Sequence, residues 1–103
     1  MKELDWKILI LLYEKRSITK TAEAMYLTQS AVTKRLQNIE NEWGIEVIRR
    51  SSQGVTFTED GTYLVQRASI MLDFLQEIRE HYAQKSSRKD ALTIGIPNSF
   101  SRL

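Results

Sequence analysis

The feature that most constrains the fold is an apolar seam between residues 59 and 85. Its members, spaced alternately four and three residues apart, are Leu64, Ala68, Met71, Leu75, Ile78 and Tyr82. Such heptad spacing is typical of a helix that packs along a partner helix. The chain has 103 residues, and no other segment is free to cover the whole seam. The seam therefore predicts a homodimer, and the alternative is a helix that folds back on its own domain.

The long helix is expected to begin at Glu59. Thr58 can cap it, and the carboxylates of Glu59 and Asp60 lie in the first turn, where the helix dipole favours negative charge. A second apolar row, consisting of Tyr63, Ile70 and Phe74, either covers the globular domain or widens the dimer contact. After residue 85, "SSRKD" reads as a polar linker, and "ALTIGIPNSF" as the first strand of a further domain of a longer protein.

Three shorter helices are expected before the long one. The first spans about residues 3–16, and the second has the sequence "ITKTAEAM", with Ser17 as its N-cap. Thr28 is placed to cap the third helix, and Gly44 can end it in a left-handed conformation. The apolar positions that share the inward face of the third helix are Val32, Leu36, Ile39 and Trp43. Only "YLT" separates the second helix from the third.

The stretch from residue 45 to 57 has the period of β-structure. Ile45 and Val47, then Val55 and Phe57, alternate with polar neighbours around the turn-like "SSQG". Two short strands that form a hairpin are therefore expected. The predicted fold is mainly α, with three helices, a two-stranded hairpin and a long final helix. We divide it into a compact domain over 1–58, a dimerisation helix over 59–85, and a hinge with the start of a further domain over 86–103.

The composition excludes several classes of function. Cysteine is absent, so neither disulfides nor a catalytic thiolate can occur. His81 is the only histidine, and no glycine-rich phosphate loop is present. We therefore expect no enzyme activity, no metal site and no cofactor. Because no apolar run is long enough to span a bilayer and no signal peptide is visible, we expect a cytoplasmic protein without a membrane partner.

The charge distribution gives a weak indication of a polyanionic partner. The net charge is +2; residues 1–58 carry nine Lys and Arg against seven Asp and Glu, whereas residues 59–85 carry three against five. The basic excess thus lies in the compact domain. A few well-placed cations, rather than bulk charge, would have to attract a nucleic acid.

The outward face of the third helix has the residue types that a DNA groove requires. Its polar members are Gln29, Ser30, Thr33, Lys34 and Gln37. Short side chains allow close approach, Gln29 can bond an adenine edge, and Lys34 can reach guanine or a phosphate. The free N–H groups after Thr28 suit a phosphate as well. Acids return only at Glu40 and Glu42, which follow the pattern of a solvated face, and an ordinary solvated helix remains the alternative for the whole surface.

The hairpin adds further candidates for DNA contact. Arg49 and Arg50 precede the small polar tip that contains Gln53, so they are placed to meet the nucleic-acid backbone. Ordinary exposed strand ends are an equal alternative for Arg49 and a weaker one for Arg50. The full set of predicted DNA-binding residues is Thr28, Gln29, Ser30, Thr33, Lys34, Gln37, Arg49, Arg50 and Gln53.

Residues 17–61 resemble the N-terminal winged helix-turn-helix of LysR-type transcriptional regulators. The matching pieces are "TKTAEAM", "TQSAVTKRLQNIE", "WGIEVIRR" and "FTEDG". The resemblance implies a dimer joined by antiparallel linker helices, a tetramer for the full-length protein, and binding to a partly palindromic promoter. It also implies control by a small molecule held in a C-terminal domain, with RNA polymerase as a further candidate partner.

The resemblance also assigns roles to individual positions. It implies that Gln29, Ser30, Thr33 and Lys34 make base and phosphate contacts and that Arg50 meets the DNA backbone. Ser30 stands where many members have proline, and Lys34 replaces the more usual arginine, giving a point charge instead of a bidentate fork. Gln53 lies at a tip that often carries arginine. A winged-helix module that contacts proteins, with the same dimer seam, is the second functional hypothesis.

Overall fold

The computed structural model describes residues 1–90, and the side chains of residues 1–85. The elements are α1 (Glu3–Lys15), α2 (Ile18–Met25), α3 (Gln29–Trp43), β1 (Ile48–Ser51), β2 (Gly54–Phe57) and α4 (Glu59–Asp90). This order confirms the predicted fold class of three helices, a two-stranded hairpin and a long helix. Met1–Leu72 forms one compact unit, which includes the beginning of α4, and a second unit begins at Asp73.

The helix ends follow the local sequence signals. Ser17, Thr28 and Thr58 are the N-caps of α2, α3 and α4, and each side-chain hydroxyl accepts a bond from the backbone N–H three residues later, at 2.9 to 3.1 Å. Gly44 ends α3 with a φ of 66°, as predicted. Tyr26 ends α2 with a φ of 57°, so the chain turns sharply between α2 and α3.

The core joins the helices to the hairpin. Its larger cluster consists of Leu9, Leu12, Leu36, Ile39, Val47, Ile48, Val55, Leu64 and Val65. A smaller cluster of Ile8, Ala22 and Val32 lies where α1, α2 and α3 meet. The inward face predicted for α3 is confirmed for Val32, Leu36 and Ile39 and wrong for Trp43. Trp43 is half exposed because it is the last residue of α3. Its indole N–H donates to the sulfur of Met1.

The hairpin is shorter than the sequence predicts. Its strands pair antiparallel from Ile48 opposite Phe57 to Ser51 opposite Gly54. Val47 is fully buried but precedes the first strand. Its backbone N–H donates to the Glu40 carboxylate at 2.8 Å, and its carbonyl accepts from the backbone N–H of Thr58 at 3.0 Å. Glu40 therefore holds the chain before β1, and its predicted place on a purely solvated face is wrong.

The long helix begins at Glu59, as predicted, and continues past position 85. Residues 86–90, predicted to be a hinge, are helical to Asp90. The segment contains neither glycine nor proline, so nothing in its sequence stops the helix. Gly61 allows α4 to approach the chain before β1, since a Cβ there would lie 2.9 Å from the carbonyl carbon of Val47. The strand predicted after position 90 lies outside the described residues.

Two of the six predicted seam positions are not available to a partner helix, and pairing through the other four stays a prediction. Leu64 and Ala68 are buried by their own chain, and Leu64 belongs to the larger core cluster. Assigning these two residues to a partner helix was wrong, because heptad spacing marks an apolar face without identifying what covers it. The other seam positions are Met71, Ile78 and Tyr82, which are exposed, and Leu75, which is partly exposed. Tyr63, Ile70 and Phe74 are exposed as well, and Tyr63 and Ile70 do not pack into the unit to which they belong.

Candidate nucleic-acid interface

The outward face of α3 forms one continuous polar surface, which we call the reading face. It is lined by Gln29, Ser30, Thr33, Lys34, Gln37, Asn38 and Asn41. The five residues predicted for this helix therefore lie together. No carboxylate lines this surface among the residues that the structure describes. The sequence reasoning missed Asn38 and Asn41, although their spacing of four and seven residues from Lys34 places them on the same side of a helix.

Buried and paired residues fix the rotation of α3. Its opposite face enters the core, and Arg35 donates to the Asp5 carboxylate at 2.9 Å. Asp5 is only 9% exposed and also accepts from the backbone N–H of Lys2 at 2.8 Å. The two adjacent cations of α3 thus have different surroundings. Arg35 is tied to α1, whereas Lys34 is exposed on the reading face.

The N-terminus of α3 is open to solvent. The Thr28 hydroxyl accepts a bond from the backbone N–H of Ala31 at 3.0 Å, so Thr28 acts as the cap. Gln29 and Ser30 are the first two residues of α3, so their backbone N–H groups have no acceptor within the helix. Both residues are exposed. This end of the helix therefore offers backbone donors beside the side chains of the reading face, while a direct contact of Thr28 with DNA stays a prediction.

The hairpin brings one of its two arginines to α3. Arg50 Nη2 lies 3.4 Å from the Thr33 hydroxyl, at the long limit of a hydrogen bond. Arg49 instead pairs with Glu46, Nε to Oε1 at 3.2 Å, and both side chains are exposed. Gln53 is exposed at the hairpin tip, where its backbone N–H donates to the Ser51 hydroxyl. Among the described contacts, neither Arg49 nor Gln53 reaches α3.

Other kinds of site have no support in the described part of the chain. It contains no group of three or more His, Cys, Asp or Glu side chains that could hold a metal ion. Within residues 1–90, no helix has both the length and the apolar character needed to cross a membrane.

Comparison with known families identifies the arrangement. Residues 4–62 match the model of the bacterial regulatory helix-turn-helix proteins of the lysR family. The chain belongs to the LysR family. The match runs from α1 to the start of α4, so it contains α3, the hairpin and every predicted DNA-binding residue. The resemblance of the motifs to this family is thereby confirmed.

Curated relatives agree with the assignment. The chain is 38% identical over 103 residues to the uncharacterized HTH-type transcriptional regulator YraN of Bacillus subtilis, a match that covers 99% of this chain and 36% of YraN. It is 35% identical over 81 residues to the uncharacterized regulator YkuM of the same organism, covering 79% of this chain and 28% of YkuM. The chain therefore spans about a third of the length of these relatives.

Solved structures show the same fold bound to DNA. The DNA-binding domain of BenM in complex with catB site 1 DNA superposes with a TM-score of 0.80 at 25% identity, covering 84% of this chain and 98% of that one. The CbnR DNA-binding domain in a DNA complex gives a TM-score of 0.79 at 20% identity, with 84% and 99% covered, and shows the common fold. Residues 4–62 are thus a DNA-binding domain of a transcription regulator of the LysR family.

Proposed function

We propose that this chain is the promoter-reading part of a bacterial regulator that binds a partly palindromic DNA site as a homodimer. Control of transcription would depend on a small molecule bound by a further domain, for which the greater length of the relatives leaves room. The observation that supports this proposal is the reading face, which has no carboxylate among its described lining residues and which Arg50 approaches at Thr33. The chain would act by binding rather than by catalysis, in the cytoplasm, where bacterial DNA lies.

The reading face can both position the domain on DNA and select the base sequence that it binds. Ser30 and Thr33 are short, so the backbone of α3 can come close to base edges. Gln29 can bond the N6 and N7 atoms of adenine, and Lys34 can reach the acceptors of guanine. Contacts to phosphates hold a protein in register, whereas contacts to base edges select the sequence. Gln29 and Lys34 would therefore set the preferred sequence.

Arg50 would anchor the hairpin on the DNA backbone. Its guanidinium lies between β1 and α3, and its long bond to Thr33 is weak enough to exchange for a phosphate. A guanidinium bonds phosphate oxygens in a bidentate fashion, which fixes orientation as well as adding charge. Arg49 pairs with Glu46 through exposed atoms, and this pair is readily opened by water or phosphate.

The exposed apolar side chains of α4 support the homodimer. Met71, Ile78 and Tyr82 are each about half exposed, at 46%, 54% and 59%. Apolar heptad positions are typical of helix pairing, and a second copy of the same helix would bury them. Two reading faces would then meet two half-sites, which explains the expected palindrome. We also propose a tetramer for the full-length protein, with RNA polymerase as a further partner at the promoter.

Selection from a random DNA library, followed by fluorescence anisotropy, tests this function. The enriched DNA should contain a partial palindrome, and it should bind more tightly than a scrambled duplex at physiological salt. Gln29→Ala and Lys34→Ala should each cost about 1–3 kcal/mol of binding free energy if the contacts are to bases. Lys7→Ala is a matched control, because Lys7 is exposed on α1 and pairs with Glu3 at 3.3 Å. Equal affinity for enriched and scrambled DNA would contradict sequence-specific recognition. A chain that forms dimers but does not bind DNA would favour the protein-contact hypothesis.

A further inference from the structure

Arg16 ends α1 in a conformation that side chains rarely adopt. Its φ is 54°, in the left-handed region. The backbone N–H donates to the carbonyl of Leu12 at 2.8 Å and closes the helix. The Arg16 carbonyl oxygen accepts from the backbone N–H of Val55 at 3.2 Å. The residue that ends α1 is therefore hydrogen-bonded directly to β2.

The guanidinium of Arg16 makes a second connection between the same two elements. It lies 4.4 Å from the centroid of the Tyr13 ring and 5.6 Å from that of Phe57. Its Nε donates to the carbonyl of Tyr13 at 2.6 Å. The two rings pack edge to face with their centroids 5.0 Å apart. Cation–π and edge-to-face contacts both depend on geometry, so this cluster holds β2 in one position against α1.

The hairpin also comes very close to the Arg16 backbone. A Cβ at Gly54 would lie 2.8 Å from the Arg16 carbonyl oxygen, and Gly54 has a φ of 117°. Only glycine can occupy this position without moving the hairpin or the end of α1. Gly54 pairs with Ser51 across the tip, so the base of the turn is fixed as well.

These contacts lead to Arg50, the arginine that approaches the reading face. Val55, which is bonded to Arg16, stands opposite Arg50 in the hairpin register. Arg50 in turn approaches Thr33 on α3. The placement of β2 against Arg16 thus determines where β1 presents Arg50. We propose that Arg16 is a positioning residue for DNA binding, which holds the hairpin so that Arg50 meets a phosphate beside the reading face.

The proposal rests on the proposed function, and a double-mutant cycle tests it on the whole chain. Arg16→Asn removes the guanidinium, while asparagine tolerates the left-handed backbone. Affinity for the enriched DNA would be measured over a range of salt concentrations for wild type, Arg16→Asn, Arg50→Ala and the double variant. Arg16→Asn should weaken binding and lower the log–log salt slope by about 0.9, as the loss of one phosphate contact does. The double variant should bind no more weakly than Arg50→Ala alone.

The controls separate positioning from direct contact and from lost stability. Arg67→Ala removes another exposed arginine that lies over an aromatic ring, that of Tyr63 at 5.2 Å, and should leave the affinity unchanged. Additive losses in the double variant would mean that Arg16 binds DNA itself and would overturn the proposal, as would an unchanged affinity of Arg16→Asn. If Arg16→Asn fails to fold, Arg16→Gln takes its place in the cycle. If the wild-type chain shows no preference for the enriched DNA, both the proposed function and the positioning role are refuted. If the wild-type chain binds specifically but the double variant shows additive losses of affinity, only the positioning role is refuted.

Discussion

Replacing Gly61 by alanine tests the close approach of α4 to the chain before β1. The added Cβ would lie 2.9 Å from the carbonyl carbon of Val47 and 3.0 Å from its Cα, with the carbonyl oxygen nearer still. Real Cβ atoms essentially never come so close to backbone atoms, so α4 or Val47 must move. Overpacking of this kind costs about 1–3 kcal/mol.

Two other terms enter the expected stability of Gly61→Ala. Alanine favours the helix by about 1 kcal/mol relative to glycine. Movement of Val47 also weakens the bond that its carbonyl accepts from the backbone N–H of Thr58 at 3.0 Å, a loss of about 1 kcal/mol. The helix-propensity gain and the hydrogen-bond loss nearly cancel. The free energy of unfolding should therefore fall by about 2 kcal/mol, which is the overpacking cost.

Urea unfolding at one fixed protein concentration measures this change, since association would otherwise shift the midpoint. Ser69→Ala is the matched control, because Ser69 is exposed on the same helix and reports helix propensity alone. The control should leave the midpoint unchanged or raise it slightly. A Gly61→Ala protein as stable as wild type would show that α4 does not pack so closely on Val47.

Two further perturbations test other parts of the molecule. Asp5→Ala removes the bonds to Arg35 and to the N-terminus of α1, so the free energy of unfolding should fall by about 1–2 kcal/mol; an unchanged urea midpoint would contradict a structural role for the pair. Ile78→Lys places a charge in the exposed apolar seam and should shift the chain from dimer to monomer in sedimentation at micromolar concentration. Glu77→Lys, at an exposed position outside the seam, is the control, and a dimer that survives Ile78→Lys would refute the helix pairing.

Local signals in the sequence were sufficient for the framework of the fold. Ser17, Thr28 and Thr58 cap helices within four residues of themselves, and Gly44 ends α3 by its own backbone conformation. Each of these features depends only on residues that are close in the sequence, so the local sequence is sufficient to predict it. The reading face was predictable for the same reason, because a helical period places its members together.

Contacts between distant residues could not be predicted in this way. Arg35 and Lys34 are adjacent cations, and only the tertiary structure shows that Arg35 is held by Asp5, thirty positions away. Glu40 has the pattern of a solvated residue but bonds the backbone of Val47. The heptad seam correctly marks an apolar face, yet Leu64 is covered by the core of its own domain. Periodicity shows which residues share a face, and the packing partner depends on the rest of the fold.

The two sides of α3 also bear on how such a regulator can change over evolutionary time. The fold depends on buried Val32, Leu36 and Ile39, and on the cap at Thr28. The exposed residues Gln29 and Lys34 contribute little to that stability. Under the proposed base contacts, substitutions at these two positions would alter the preferred DNA while the domain still folds. On that proposal, a lineage would acquire new target genes by single changes on one helix, without first gaining spare stability.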